Sequence, residues 1–198
     1  MTRIVTTLST LDLDAIEDHL LRLNQEDRYL RFFTFLSDEA IRGYVRRVLN
    51  LTEGRGFGIF DGDRLVAFAH VSRIEEVGIR VTAELGISVN EDFRGQGLST
   101  LLMDRGILYC RNNRINTLFM SCLRENRAMQ HVARKAGLAT YTNADEAFAE
   151  LQLTELPKPS DFWREAGYEH ISLFDKIYRR QRQWLDTMLS LGDPRGTS

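Results

Sequence analysis

Apolar and polar residues alternate most clearly between residues 81 and 89, and this alternation predicts a half-buried β-strand. Val81, Ala83, Leu85 and every second residue after them are apolar, whereas the positions between them are small or polar. Shorter segments rich in β-branched and aromatic residues predict further strands. These segments are residues 3–8, 56–60, 65–71, 116–122 and 147–153. Asp-Gly-Asp-Arg at 61–64 predicts a hairpin turn between two of them.

Apolar residues at helical spacing alternate with these strands along the chain. The predicted helices begin at Asp12 or Asp14, at Ser37 with a capping-box pattern, directly after Gly97, and at Glu125, the last ending before Gly137. The pattern therefore predicts one α/β domain with a mixed sheet, residues 1–155.

Pro157 and Pro159 interrupt the pattern, and the remainder, residues 156–198, is predicted to be a helical C-terminal extension. Its apolar stripe consists of Phe174, Tyr178, Leu185 and Leu189, with Trp184 beside it. Such a stripe needs a surface to cover it, which is either the domain itself or a second subunit in a homodimer.

Composition narrows the class of protein. The 198 residues contain 26 basic and 28 acidic side chains, a net charge of −2, so no basic excess points to nucleic acid as a partner. Cys110 and Cys122 have no metal-type spacing, and with four scattered histidines no metal site is expected. The first residues lack the apolar core of a signal peptide, and no stretch approaches the roughly 20 apolar residues of a membrane span. We therefore expect a cytoplasmic protein without membrane contact.

Candidate chemistry centres on the turn that follows the long strand. Gly95 and Gly97 lie between that strand and a helix, where exposed backbone N–H groups and the helix dipole favour a phosphate. A Walker loop is excluded because its Gly-Lys-Ser/Thr ending is absent. A dinucleotide fingerprint is weak, because Thr100 occupies the third glycine position and no acidic residue follows at the required distance.

A third kind of phosphate loop fits better. Residues 94–99, R-G-Q-G-L-S, resemble the pattern [QR]-x-x-G-x-[GA] of the GNAT acyltransferase superfamily, with Ser99 in place of the last Gly or Ala. Residues 125–138 resemble the superfamily's second signature, an Asn followed by a helix ending in K-x-G-[FL]. The strand at 83–89 and the segment R-Y-L-R-F-F at 28–33 are similar to those of bacterial protein-lysine acetyltransferases. For residues 28–33 the alternative is the amphipathic end of a helix packed into the core.

The resemblance implies a mixed, largely antiparallel central sheet flanked by helices, and acetyl-CoA or CoA as the cofactor. Main-chain groups of Ile87 and Val89 would pair with the pantetheine arm, and the loop would hold the pyrophosphate. The implied cofactor-binding positions are Ile87, Ser88, Val89, Arg94, Gly95, Gln96, Gly97, Leu98, Ser99, Asn126 and Met129. The alternatives are a helix N-cap for Asn126, which is compatible with a cofactor contact, and a solvated charge for Arg94.

Glu84 is the candidate catalytic residue. It lies on the polar face of the long strand, and the matching Glu in the lysine-acetyltransferase branch serves as general base. The alternative is an ordinary glutamate at a solvated strand face. The Tyr that many superfamily members carry as general acid is replaced by Ala133, so the acid is unassigned. Tyr109 and Tyr141 are the nearest candidates along the sequence, and the pattern favours a packing role for each of them.

These features together predict an N-acetyltransferase that moves an acyl group from a CoA thioester to a primary amine. The transfer is expected to be direct, in a ternary complex, and the acceptor is a protein lysine, a protein N-terminus or a small amine. The alternative is a non-catalytic, acyl-CoA-binding regulatory module. Ser99 and the missing Tyr favour the module, whereas Glu84 favours the enzyme.

Overall fold

The computed structural model describes residues 3–47, 54–77, 80–143, 146–153 and 157–191. Seven strands are present in these ranges: β1 (Val5–Leu8), β2 (Arg55–Asp61), β3 (Arg64–Val77), β4 (Arg80–Val89), β5 (Thr117–Leu123), β6 (Ala139–Asn143) and β7 (Glu146–Gln152). The helices are α1 (Leu13–Leu21), α2 (Gln25–Phe32), α3 (Asp38–Arg47), α4 (Leu98–Asn112), α5 (Arg127–Lys135) and α6 (Pro159–Leu191).

The strands form one sheet in the order β1-β2-β3-β4-β5-β7-β6. Every neighbouring pair is antiparallel except β4 and β5, which are parallel. A parallel pair needs a crossover connection, and α4 provides it. The predicted mixed, largely antiparallel sheet flanked by helices is confirmed.

Two apolar cores lie on opposite faces of the sheet. Ala83, Leu85 and Ile87 of β4 belong to the core that includes α4, as their alternation predicted. The second core joins α1 and α3 to the other face, for example through Ile16 and Ile41. The polar face of β4 therefore lies beneath the N-terminal helices rather than in open solvent.

The sequence pattern did not predict two of the elements that the structure contains. The strand β6 was missed, and the segment at 28–33 belongs to a helix of its own, α2, rather than to the end of α1. Arg28 explains the break between α1 and α2. Its guanidinium donates to the carbonyl oxygens of Leu21 (2.7 Å), Leu23 (2.9 Å) and Leu36 (3.0 Å), and it pairs with Asp38.

The C-terminal helix α6 docks on the domain through its polar face, not through its apolar stripe. The Arg105 side chain of α4 is 0% exposed and bonds both carboxylate oxygens of Glu165, at 2.6 and 2.8 Å. Ser172 accepts a hydrogen bond (3.0 Å) from the backbone N–H of Thr7 on the edge strand β1. The possibility that the domain covers Phe174 and Tyr178 is wrong, because they are 71% and 64% exposed. The side chains of Trp184, Leu185 and Leu189 lie outside the described residues.

None of the helices in the described ranges combines the length and the apolar character needed to cross a bilayer.

Candidate functional site

A cleft opens where β4 and β5 separate. The register pairs Thr82, Ala83 and Glu84 of β4 with β5, and in the described part of the chain this pairing does not continue past Glu84. On its other edge β4 stays paired with β3 as far as Val89. One edge of β4 therefore presents backbone groups that another extended chain can bind as an added strand.

The cleft has a volume of about 520 Å³ and lies between β4, the loop before α4, α5 and α2. All but two of the predicted site residues line it. Those that do are Ile87, Ser88, Val89, Arg94, Gly95, Gly97, Leu98, Ser99, Asn126 and Met129. Gln96 is not among the lining residues: its side-chain oxygen lies 3.4 Å from Arg3 on the exposed side of the loop. Glu84 lies beyond the lined part.

The loop between β4 and α4 has the backbone geometry of an anion site. Gly95 and Gly97 have φ values of 72° and 76°, a region that favours glycine. Gly97 is the N-cap of α4 and supplies no side-chain cap, so the first N–H groups of the helix lack that partner. A Cβ at either glycine would meet nothing within 4 Å. The space next to the loop is therefore open to a ligand, and the loop fits a phosphate group.

Arg94 has a charged partner and is not only a solvated surface charge. It forms an ion pair with Asp27 of α2 across the mouth of the cleft. Burial raises the pKa of Asp27, and the Arg94 charge opposes that shift. A second contact joins α2 to the same loop, because Asn24 donates to the Glu91 carboxylate at 3.2 Å. The predicted phosphate loop is thus tied to the helix on the opposite side of the cleft.

Asn126 is the N-cap of α5. Its side-chain oxygen accepts a hydrogen bond (3.1 Å) from the backbone N–H of Met129. The capping role considered for Asn126 is therefore present, and both residues also line the cleft. The cap leaves the amide nitrogen of Asn126 as the group available to a ligand.

Glu84 lies at the fork of the two strands. It is the last β4 residue paired with β5, and its carboxylate accepts a hydrogen bond (2.9 Å) from the Ser121 hydroxyl of β5. The side chain is neither fully buried nor fully exposed. A half-buried carboxylate just past the inner end of the cleft can accept a proton from a group that reaches the fork.

Arg31 of α2 is a site residue to which sequence reasoning gave no role. Its guanidinium lies directly on Gly86, where a Cβ would come within 2.7 Å of Nη1. Arg31 contacts the Phe32 ring at 5.1 Å but forms no ion pair in the described ranges, and its buried Nε has no hydrogen-bond partner. The side chain lines the cleft, so an unpaired positive charge lies between the cleft and Glu84. The glycine in the polar row of β4 was the only local sign of this contact.

His19 of α1 holds Ser88 from behind the cleft. Its Nε2 lies 2.8 Å from the Ser88 hydroxyl, and its Nδ1 lies 3.2 Å from the carbonyl oxygen of Leu65. A carbonyl only accepts, so Nδ1 carries the proton and the Ser88 hydroxyl donates to Nε2. Burial lowers the pKa of His19 to about 4, which keeps the ring neutral near pH 7. In the sequence His19 was one of four scattered histidines.

Neither tyrosine considered as a general acid lines the cleft. Tyr109 packs edge-on against Phe57 in the core, where burial raises its pKa. Tyr141 is half exposed on β6 and donates to Glu150 at 3.2 Å. Ala133 is fully buried in the core that includes α4.

Comparison with known proteins agrees with this geometry. The model of the acetyltransferase (GNAT) family matches residues 13–138. Because the match covers more than half of the 198 residues, the chain belongs to this family, as the resemblance predicted. Family membership supports acyl transfer from CoA as the reaction class.

Several solved structures share the fold at low sequence identity. The GNAT domain of S. lividans PAT is 19% identical with a TM-score of 0.66, over 77% of this chain and 92% of that chain. A spermidine N-acetyltransferase from Vibrio cholerae, in complex with CoA and spermine, is 16% identical with a TM-score of 0.59, over 77% and 96%. The protein yncA from Salmonella typhimurium, with its cofactor acetyl-CoA, is 16% identical with a TM-score of 0.60, over 80% and 98%.

Proposed function

We propose that the protein transfers an acetyl group from acetyl-CoA to a primary amine, by direct transfer in a ternary complex. The acceptor is a protein lysine, a protein N-terminus or a small amine. One observation carries the proposal: an uncapped helix N-terminus and an unpaired strand edge line one cleft, and the Glu84 carboxylate lies just past its inner end.

The residues of the cleft fit CoA in that order. The backbone of residues 94–99 and the first turn of α4 hold the pyrophosphate. Main-chain groups of Ile87 and Val89 pair with the pantetheine arm, and Asn126 contacts the arm from the opposite side, next to Met129. When bound, acetyl-CoA supplies an activated acyl carbonyl at the inner end of the cleft.

Glu84 is the general base in this proposal. A lysine-like amine has a pKa near 10.4, so only about one molecule in 2,500 is neutral at pH 7. A carboxylate at the fork removes the ammonium proton, directly or through one water, and offsets part of that deficit. The Ser121 hydroxyl fixes the orientation of the carboxylate, because it donates to one of its oxygens.

The second candidate is a module that binds acyl-CoA without turnover. It is favoured by the absence of any tyrosine among the described residues that line the cleft. The tyrosine that protonates the leaving thiolate in many superfamily members therefore has no counterpart among them. The two functions differ in one measurable outcome, the release of free thiol.

The test is thiol release from acetyl-CoA with a panel of amines, peptides and proteins. Glu84→Gln should lower turnover by roughly 10²–10⁴-fold at neutral pH, with CoA affinity in calorimetry nearly unchanged. The loss should shrink at high pH, where the neutral amine is abundant. Glu39→Gln, an exposed glutamate on α3, is the matched control and should be silent. Equal rates for the wild type and Glu84→Gln would remove Glu84 from the mechanism. Binding without thiol release from any acceptor would favour the module.

A further inference from the structure

A cation without a protein partner lies at the inner end of the cleft. The guanidinium of Arg31 lies on the backbone of Gly86, and its buried Nε has no hydrogen-bond partner. Asp27 lies one turn earlier on α2, a spacing at which a carboxylate can pair with an arginine, but it pairs with Arg94 instead. An unpaired, partly desolvated guanidinium is costly, so its free N–H groups favour an anion that enters the cleft.

The position of Arg31 indicates which molecule brings that anion. The pyrophosphate of CoA is proposed to bind at residues 94–99, whereas Gly86 precedes Ile87 and Val89, the residues proposed to pair with the pantetheine arm. Arg31 therefore lies near the thioester, where the acceptor must also bind. One unpaired guanidinium balances the single charge of a carboxylate, whereas a phosphate group carries a charge of about −1.5 to −2. A carboxylate on the acceptor fits this position.

Arg31 and Glu84 present opposite charges on the same face of β4. Ser121 holds the Glu84 carboxylate at 2.9 Å, and Arg31 is held over Gly86 and beside the Phe32 ring. No ion pair joins the two charges among the described contacts. Residues 84 and 86 are about 7 Å apart along a strand. That gap accommodates a small zwitterion, whose ammonium and carboxylate each need a hydrogen bond of about 2.8 Å to the protein.

The same pair of charges discriminates among amine acceptors. A diamine or polyamine would bring a second ammonium towards Arg31, and like charges repel. A lysine side chain has no carboxylate next to its ammonium, whereas a free amino acid carries both groups on one carbon. Phe119 pairs with Glu84 across the two strands, and Phe148 stacks on it at 5.8 Å. Both rings are half-buried, so an apolar side chain finds an apolar surface beside the reacting amine.

We infer that Arg31 is a specificity residue for the acceptor: it binds the carboxylate of a free amino acid whose ammonium faces Glu84. The inference rests on the proposed acetyl transfer and names the acceptor class within it. The ammonium loses one proton to Glu84, and the amine forms a C–N bond to the acetyl carbonyl as the C–S bond breaks. The second amine proton passes to the leaving thiolate. The products are an N-acetyl amino acid, free CoA and one proton.

Matched acceptors test the inference. Thiol release from acetyl-CoA is measured with L-phenylalanine, L-leucine and L-methionine, each against its amide. The amide lacks the carboxylate that raises the pKa of the ammonium group, so it holds more neutral amine and is the better acceptor if the carboxylate is not bound. The wild type should instead have the higher kcat/KM with at least one of the free amino acids.

Arg31→Met should lower the ratio of kcat/KM for that amino acid to kcat/KM for its amide by roughly 10–100-fold, the range for a lost hydrogen bond to a charged group. The ratio cancels any general effect of the substitution on the chemistry. Arg31→Lys keeps the charge and should retain much of the ratio. Arg134→Met is the control and should keep the wild-type ratio, because Arg134 is exposed on α5 and is not among the residues that line the cleft.

Calorimetry with the CoA-loaded protein separates this inference from the proposed acetyl transfer. If no acceptor releases thiol, the transfer fails, but amino-acid binding that Arg31→Met abolishes still supports the carboxylate site. Absence of such binding overturns the site. A preference for the amides, for a lysine peptide or for spermidine also overturns it, as does an equal loss with both members of a pair in Arg31→Met. A preference for succinyl-CoA over acetyl-CoA that Arg31→Met removes would assign the carboxylate to the acyl chain and overturn the amino-acid assignment.

Discussion

At the scale of single residues, the cleft is defined by backbone conformation and by buried polar contacts. A Cβ at Gly95 or Gly97 would meet no other group, so close packing is not the reason for glycine at these positions. The reason is the positive φ angle of each residue. The Ser88 hydroxyl is held by His19 of α1, which packs on the same face of β4. The positively charged Arg31 of α2 lies on Gly86, and the negatively charged Glu84 lies two residues earlier on the same face of β4. No ion pair joins them among the described contacts. Two of these features lead to predictions about single substitutions.

Gly97→Asp should abolish CoA binding, because it places a negative side chain at the N-terminus of α4, where the phosphates are proposed to bind. Isothermal calorimetry measures the affinity. Gly62→Asp is a matched control, since Gly62 also has a positive φ of 60° and open space around it, but lies in the hairpin turn. Unchanged CoA affinity in a folded Gly97→Asp variant would sink the assignment of the loop.

His19 should make the protein less stable in mild acid. Its pKa is about 4 in the folded state and near 6.5 when unfolded, so the unfolded chain binds more protons between these values. The contribution is present above pH 6.5 and is lost as the pH falls to 4, a total of about 3 kcal/mol. Urea unfolding at several pH values should show this slope in the wild type and a flatter one in His19→Gln. His170→Gln, at an exposed position, should keep the wild-type slope.

At the scale of elements, polar contacts decide how helices are joined to the sheet. Arg28 fixes the turn between α1 and α2 through three carbonyl oxygens. The Arg94–Asp27 pair links α2 to the loop before α4. Arg105 fastens α6 to α4 and lies over the rings of Phe57 and Tyr168, at 4.6 and 4.8 Å. These contacts connect elements that no local sequence pattern relates to one another.

Glu165→Gln should destabilise the fold by about 2–4 kcal/mol, because it leaves the buried Arg105 charge with only the more distant Glu169 at 3.4 Å. The free energy of unfolding in urea is the measurement. Asp18→Asn removes a surface pair with Arg22 at 3.5 Å and should cost less than about 0.5 kcal/mol. Equal effects of the two variants would show that the Arg105 contact does not hold α6 in place.

At the scale of the whole molecule, one sheet serves two surfaces, one near its centre and one at its β1 edge. The fork between β4 and β5 forms the cleft, whereas the edge strand β1 is covered by α6. The N-terminal helices lie between these regions: α1 packs with Leu8 of β1 in the second core, and α2 lines the cleft. Loss of α6 therefore affects the sheet edge before it affects the cleft.

Truncation after Lys158 should lower the melting temperature by roughly 10 °C, because it exposes the β1 edge and removes Glu165 and Glu169, the acidic partners of Arg105 among the described residues. Differential scanning calorimetry is the measurement, with CoA affinity measured in parallel and expected to be nearly unchanged. A full-length chain carrying Ser190→Ala near the end of α6 is the control. An unchanged melting temperature after truncation would mean that α6 contributes nothing to the stability of the sheet.

The sequence by itself determined the features that depend on neighbouring residues. Strand alternation at 81–89, the glycine turn before α4, and the helix that Asn126 begins were all predicted and are present. Each arises from interactions within a few residues: side-chain direction along a strand, positive φ at glycine, and an amide that caps its own helix. The family resemblance at residues 94–99 and 125–138 rests on the same local features.

Only the tertiary structure decided which partners meet across the fold. The hydrophobic pattern of α6 indicated that Phe174 and Tyr178 seek a covering surface, but the buried Arg105, some 60 residues earlier, attracts the opposite, acidic face of the helix. Likewise, the point where β4 and β5 part, the placement of Arg31 on Gly86, and the His19–Ser88 bond depend on elements brought together by the sheet. The amphipathic periodicity of a helix indicates which of its residues favour burial. The positions and charges of distant elements determine which face of the helix packs on the rest of the protein.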